Sequence, residues 1–124
     1  MASRTLDVTL NLKAGDPING LLTLNQTVDA ALTYNDQDIV TDTATIAHAS
    51  PTELVATSAS VPVYVYIKNT DVTNYVKLQT SLSATYGSIH PGEFAFFAVK
   101  EGKGLKLQAD TGDCIIEYIT FNKA

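Results

Sequence analysis

The chain has 124 residues, 45% of them hydrophobic and 17% charged. That is too apolar and too weakly charged for a disordered chain, and the length is that of one domain, read here as a single sandwich domain over residues 1–124. The net charge is −5 and Arg4 is the sole arginine, which argues against nucleic acid and against an anionic membrane surface as partners, since both need a basic patch.

Leu6, Val8, Leu10 and Leu12 alternate with Asp7, Thr9 and Asn11, the pattern of a half-buried strand with one polar face. Lys13-Ala14-Gly15-Asp16-Pro17 reads as its end, and Asn19-Gly20 as a second turn. Leu22 and Leu24 resume the alternation. Asp29-Ala30-Ala31-Leu32 is too short to stand as a helix and is assigned to a strand. Residues 34–38 read as a polar loop. Residues 39–47 alternate small apolar groups with Thr41, Thr43 and Thr45, and are expected to form a flat strand suited to close approach by another chain. His48-Ala49-Ser50-Pro51 is a turn, and residues 52–58 a short strand or connector.

Val61, Val63, Val65 and Ile67 then occupy odd positions, with Tyr64 and Tyr66 between them. Side chains alternate across a strand, so this one has an aliphatic and an aromatic face. Both faces call for cover, which predicts a central strand. Pro62 has no N–H and belongs at its entry. A polar turn over residues 70–74 precedes a strand over 75–79, with Val76 and Leu78 inward, and a further strand is expected over 82–86. Pro91-Gly92 carries the signature of a type II turn. Residues 94–99 form the most apolar strand. Leu105, Leu107 and Ala109 mark the next, and residues 114–121 the last. The whole reads as an all-β, antiparallel β-sandwich of eight to ten short strands.

Candidate chemistry is sparse. His48 and His90 are lone histidines beside proline turns, without the clustering that a metal or catalytic site needs. A Ser–His–acid triad need not be adjacent in sequence, but no nucleophile-elbow motif is present. Asn35, Asp36, Asp38 and Asp42 are the densest acidic group and do not follow the EF-hand spacing. Asp110-Thr111-Gly112-Asp113 is a second cation candidate; solvated turns account for both groups. The six tyrosines suit core or subunit packing as well as a sugar platform. Cys114 is the single cysteine, which leaves a buried inert thiol. Asn25-Gln26-Thr27 fits a glycosylation sequon, but no apolar segment of a secretory signal follows Met1, so the match is read as chance. The expectation is a non-enzymatic protein with no catalytic, metal or cofactor-binding residue.

The second half carries a resemblance. Ile67-Lys68-Asn69 ends the central strand, Ile89-His90-Pro91-Gly92-Glu93-Phe94 runs a turn into an aromatic strand, Leu105-Lys106-Leu107-Gln108-Ala109 follows, and Ile116-Glu117-Tyr118 closes. Over residues 61–121 this resembles the small β-sandwich virion proteins of tailed bacteriophages, among them capsid decoration (cement) proteins and some tail-associated proteins. Residues 1–60 match no pattern of that family. The resemblance implies a jelly-roll-like sandwich, a homotrimer, made in the host cytoplasm and seated on the capsid surface of the virion, where it bridges and stabilises major capsid protein subunits. It carries over no site residue. Residues 39–47 and the last strand are the expected subunit contacts, and the acidic first half is expected to face a basic shell. The alternative is a tail-tip receptor-binding or carbohydrate-binding module.

Overall fold

The structure is a computed structural model that describes residues 3–14, 24–35 and 39–124. Ten strands and no helix occur among them: β1 (Ser3–Ala14), β2 (Leu24–Asn35), β3 (Val40–Ile46), β4 (Thr52–Val55), β5 (Val63–Asn69), β6 (Val76–Gln79), β7 (Thr85–Ile89), β8 (Phe94–Val99), β9 (Leu105–Ala109) and β10 (Cys114–Asn122). All pairs are antiparallel.

β3 to β10 form two four-stranded sheets, in the orders β3-β10-β5-β8 and β4-β9-β6-β7. The pairing is nested: β6 with β7, β5 with β8, β4 with β9, β3 with β10. It amounts to one long hairpin bent double and rolled up, and the roll closes where β10 also takes β5 and β9 also takes β6. Two Greek keys in eight strands make a jelly roll.

β5 sits where the alternation placed it, between β10 and β8. Its inward Val65 and Ile67 are fully buried. They meet Ile46, Val76, Leu105, Leu107, Ala109 and Ile116 in a dry core between the sheets. Each buried Val, Leu or Ile there contributes about 1.5–3 kcal/mol by leaving water. Tyr64 and Tyr66 face outward, beside Phe96 and Phe94 respectively, with ring centroids 6.3 and 6.4 Å apart.

β1 and β2 stand outside both sheets as a two-stranded arm. At 12 residues each they reach about 40 Å by the usual strand rise, and so are not short. The register sets Leu6, Val8 and Leu10 against Leu32, Ala30 and Val28 on one face. Thr9 donates to Asp29 and Thr27 to Asn11 on the other. The arm is anchored at its base, where Tyr34 bridges to Lys123 and its ring meets Phe121 edge-on at 5.1 Å. It runs over the aromatic outer face of the β3-β10-β5-β8 sheet. Tyr34 and Asn35 therefore belong to a strand, not to the polar loop expected there, and β1 continues through Lys13 to Ala14. The Asn19-Gly20 turn and the Asp36 and Asp38 positions lie outside the described residues.

The strand expected over residues 82–86 lies three residues later. Leu82 is 90% exposed on a loop held by Ser83 N–H donating to the Thr80 carbonyl, with Ser83 at a φ of 65°. Ile89, not Leu82, supplies the buried aliphatic side chain. β10 pairs on both sides, so the last strand has no free edge and offers a partner only its outward face.

The Pro91-Gly92 turn has the expected form. Glu93 N–H donates to the His90 carbonyl and Gly92 has a φ of 82°. An added Cβ at Gly92 would meet nothing within 4 Å, so any penalty there is purely conformational. Gly92→Val is expected to cost about 1–3 kcal/mol, seen as a lowered Tm, while Gly92→Asn keeps most of the stability because Asn tolerates this conformation. Equal melting of Val and wild-type proteins would contradict the turn.

Candidate functional site

The nested topology brings four loops to one end of the sandwich: residues 47–51, 70–75, 90–93 and 110–113. These carry both histidines and the Asp110 and Asp113 pair. His48 Nδ1 lies 2.7 Å from Asp113 Oδ1, and the His48 backbone N–H donates to the same oxygen at 3.2 Å. The His90 ring stacks on Tyr75 at 4.5 Å, with its Nε2 3.3 Å from Ser88 Oγ. The Tyr75 hydroxyl is hydrogen-bonded to Asp110, which raises its pKa. Both histidines thus sit at the same end, a convergence that a separation of 42 positions in sequence conceals, yet each has its own partner on a different loop.

Beneath them lies a group that strand patterning gave little reason to single out. Asn69 continues the inward phase of Val63, Val65 and Ile67 and is fully buried. Its amide donates to the carbonyls of Asn74 and Ile89 at 3.0 and 2.9 Å. Its oxygen accepts from Asp71 N–H at 2.9 Å and from the Cys114 thiol at 3.3 Å. Asp71 accepts in turn from the backbone N–H groups of Asn74, Thr73 and Ile115, and those bonds hold its carboxyl below the ordinary 3.8. Asn74 donates its amide to the Asp113 carbonyl. The signal available in sequence was an asparagine in the phase of buried aliphatics.

The chemistry of this end is that of a fastening. Asp110 and Asp113 are taken by Tyr75 and His48 and do not converge on a cation. Among the described residues no group of three His, Cys, Asp or Glu could hold a metal, and of the cluster at Asn35 and Asp42 only those two are described. Among the described residues no hydroxyl hydrogen-bonds to His48 Nε2. Cys114 is fully buried, and burial with the nearby Asp71 carboxylate pushes its thiol up to about 11, the inert thiol expected. Tyrosines 34, 64, 66, 75 and 118 are dispersed among packed positions; only Tyr86, 57% exposed, belongs to the exposed large hydrophobics. Within the sequon Asn25-Gln26-Thr27, the Thr27 hydroxyl is engaged by Asn11.

The open apolar surface lies elsewhere. Between the arm and the outer sheet runs a cleft of about 460 Å³ lined by Leu10, Val28, Leu32, Tyr66, Phe94 and Phe96, among others. Leu10, Leu12, Val28 and Phe94 are 36%, 45%, 48% and 57% exposed. These large apolar side chains are the exposed part of the arm's apolar face and the β8 strand beside it.

Two outcomes test the fastening. Asp71 has its pKa depressed on folding, so its contribution is fully present above the unfolded value near 3.8 and disappears as pH falls through the folded value. The Tm advantage of wild type over Asp71→Asn is therefore expected at pH 7 and shrinks as the pH is taken below 3.8; a constant gap would contradict it. The Cys114 thiol is expected to resist a thiol reagent at pH 8 in the native protein and to react at once in denaturant; fast native labelling would contradict its burial. Comparison with protein-family models, with curated proteins and with solved structures finds no match to this chain.

Proposed function

We propose that this protein is a non-enzymatic structural component of a tailed-phage virion, a capsid decoration protein that binds and stabilises the assembled major capsid shell. The observation that carries the reading is the arm: a two-stranded ribbon with one polar and one apolar face, anchored at its base and leaving Leu10, Leu12 and Val28 half uncovered. An isolated hairpin is marginal in water, so such an element gains its stability from a surface laid against it. A saturated loop end and a binding face without reactive groups suit a protein whose work is to hold other subunits together. The jelly roll agrees with the resemblance of residues 61–121, though many unrelated functions share that fold. The dispersed tyrosines favour this reading over a carbohydrate-binding or tail-tip module.

A decoration protein acts by mass action, binding the assembled state and not its free parts. Purified protein is expected to co-sediment saturably with shells assembled from the major capsid protein of the same genome, to leave unassembled capsid subunits in the supernatant, and to raise the shell's melting temperature. Arm variants Leu10→Asp and Val28→Asp are expected to lose that binding by tenfold or more while the sandwich still melts cooperatively. Equal binding to free subunits, or none to shells, would overturn the proposal.

A further inference from the structure

The four edge strands of the sandwich, β3, β4, β7 and β8, are not equally guarded. Nature blunts a free edge with a charge, a proline or a bulge, because an unguarded edge pairs with another chain. The register at β4 shifts between Glu53 and Val55, and β4 carries that glutamate; at β7 it shifts between Leu78 and Gln79 of its partner β6. β3 carries Asp42, whose carboxylate folds onto the Thr43 N–H at 2.7 Å. β8 has none of these. Phe94-Ala95-Phe96-Phe97-Ala98-Val99 is regular in register, uncharged and without proline.

We propose that the β8 edges of two copies of this chain pair antiparallel about a two-fold axis at Phe96. Two observations select a second copy as the occupant. Asn69 N–H donates to the Glu93 carbonyl, and antiparallel pairs alternate between bonded and unbonded. By the observed register, Ala95, Phe97 and Val99 are therefore the residues bonded to β5, and the N–H groups of Phe94, Phe96 and Ala98 point to the free edge. Pairing Phe96 with the partner's Phe96 engages just those three on each copy.

The side chains then fit by size. Phe94 falls opposite the partner's Ala98 and Phe97 opposite the partner's Ala95, large against small, while the two Phe96 rings meet at the axis. A two-fold contact of this kind is self-complementary by construction.

The proposal does not depend on a capsid, and the protein alone tests it. Light scattering on a sizing column, over a series of concentrations, is expected to give the mass of two 13.3 kDa chains; one chain throughout, or the three implied by the family resemblance, overturns it. Ala98→Pro removes an N–H that β5 does not use and is expected to give one chain with cooperative melting retained. Position 96 lies on the axis, where paired Cα atoms about 5.5 Å apart permit a disulfide. Phe96→Cys is expected to cross-link to itself on mild oxidation, Ala98→Cys is not, and Ala98→Cys mixed with Phe94→Cys is. Should the Phe96 or Ala98→Pro variant fail to fold, the mixed pair still decides. Equal cross-linking of the Phe96 and Ala98 single variants, or none in the mixture, overturns the register.

Discussion

The side chain of Asn69 uses its whole hydrogen-bonding capacity. Two N–H groups and two lone pairs meet Asn74, Ile89, Asp71 and Cys114, the full complement of an amide. A buried amide left half satisfied is costly, and one fully satisfied fixes its surroundings. Through those four bonds β5, β7, β10 and the 70–75 loop share one geometry, and through Asn74 and Asp113 the fastening extends to His48 and the 47–51 loop. The two sheets are joined by a dry core, but their relative position at this end is set by a polar knot. The loops at this end are tied together by that knot, while the exposed apolar side chains Leu10, Val28 and Phe94 lie at the arm and the β8 edge.

Most of the sandwich was legible in sequence because its strands announce a face. Val65 and Ile67 against Tyr64 and Tyr66 gave a strand covered on both sides, and the covers turned out to be the core within and the arm without. Pro91 and Gly92 gave a turn by conformational necessity. Cys114 sat in an apolar strand and is buried. Period-two patterning fails where two registers share a pattern. Leu82, Ala84 and Tyr86 alternate as well as any strand, but they are exposed, and the pairing residues begin at Thr85.

Patterning also cannot say what a face packs against. Leu6, Val8, Leu10 and Leu12 declare an apolar face, and a sandwich strand or an arm over the sandwich would read alike. The loop-end network was hidden for a different reason. His48 and Asp113 are 65 residues apart and Asn69 and Cys114 are 45 apart, and only the nesting of the strands brings them together. The guarding of edges is legible only once the order of strands is known, since a charge or its absence means nothing until the strand is found at an edge.

The nesting has a consequence in time. The innermost pair, β6 with β7, closes the shortest loop, and each pair outward of it, β5 with β8, β4 with β9 and β3 with β10, encloses all those before it. Loop-closure entropy grows with the length enclosed, and non-local pairing is slow. Assembly from the inside outward makes each step a short extension of what already stands. The arm is outermost of all, because Tyr34 meets Phe121 and Lys123 only after β10 has found its place. By this ordering it is expected to dock last and to be the first element to lift away while the roll beneath it stays folded.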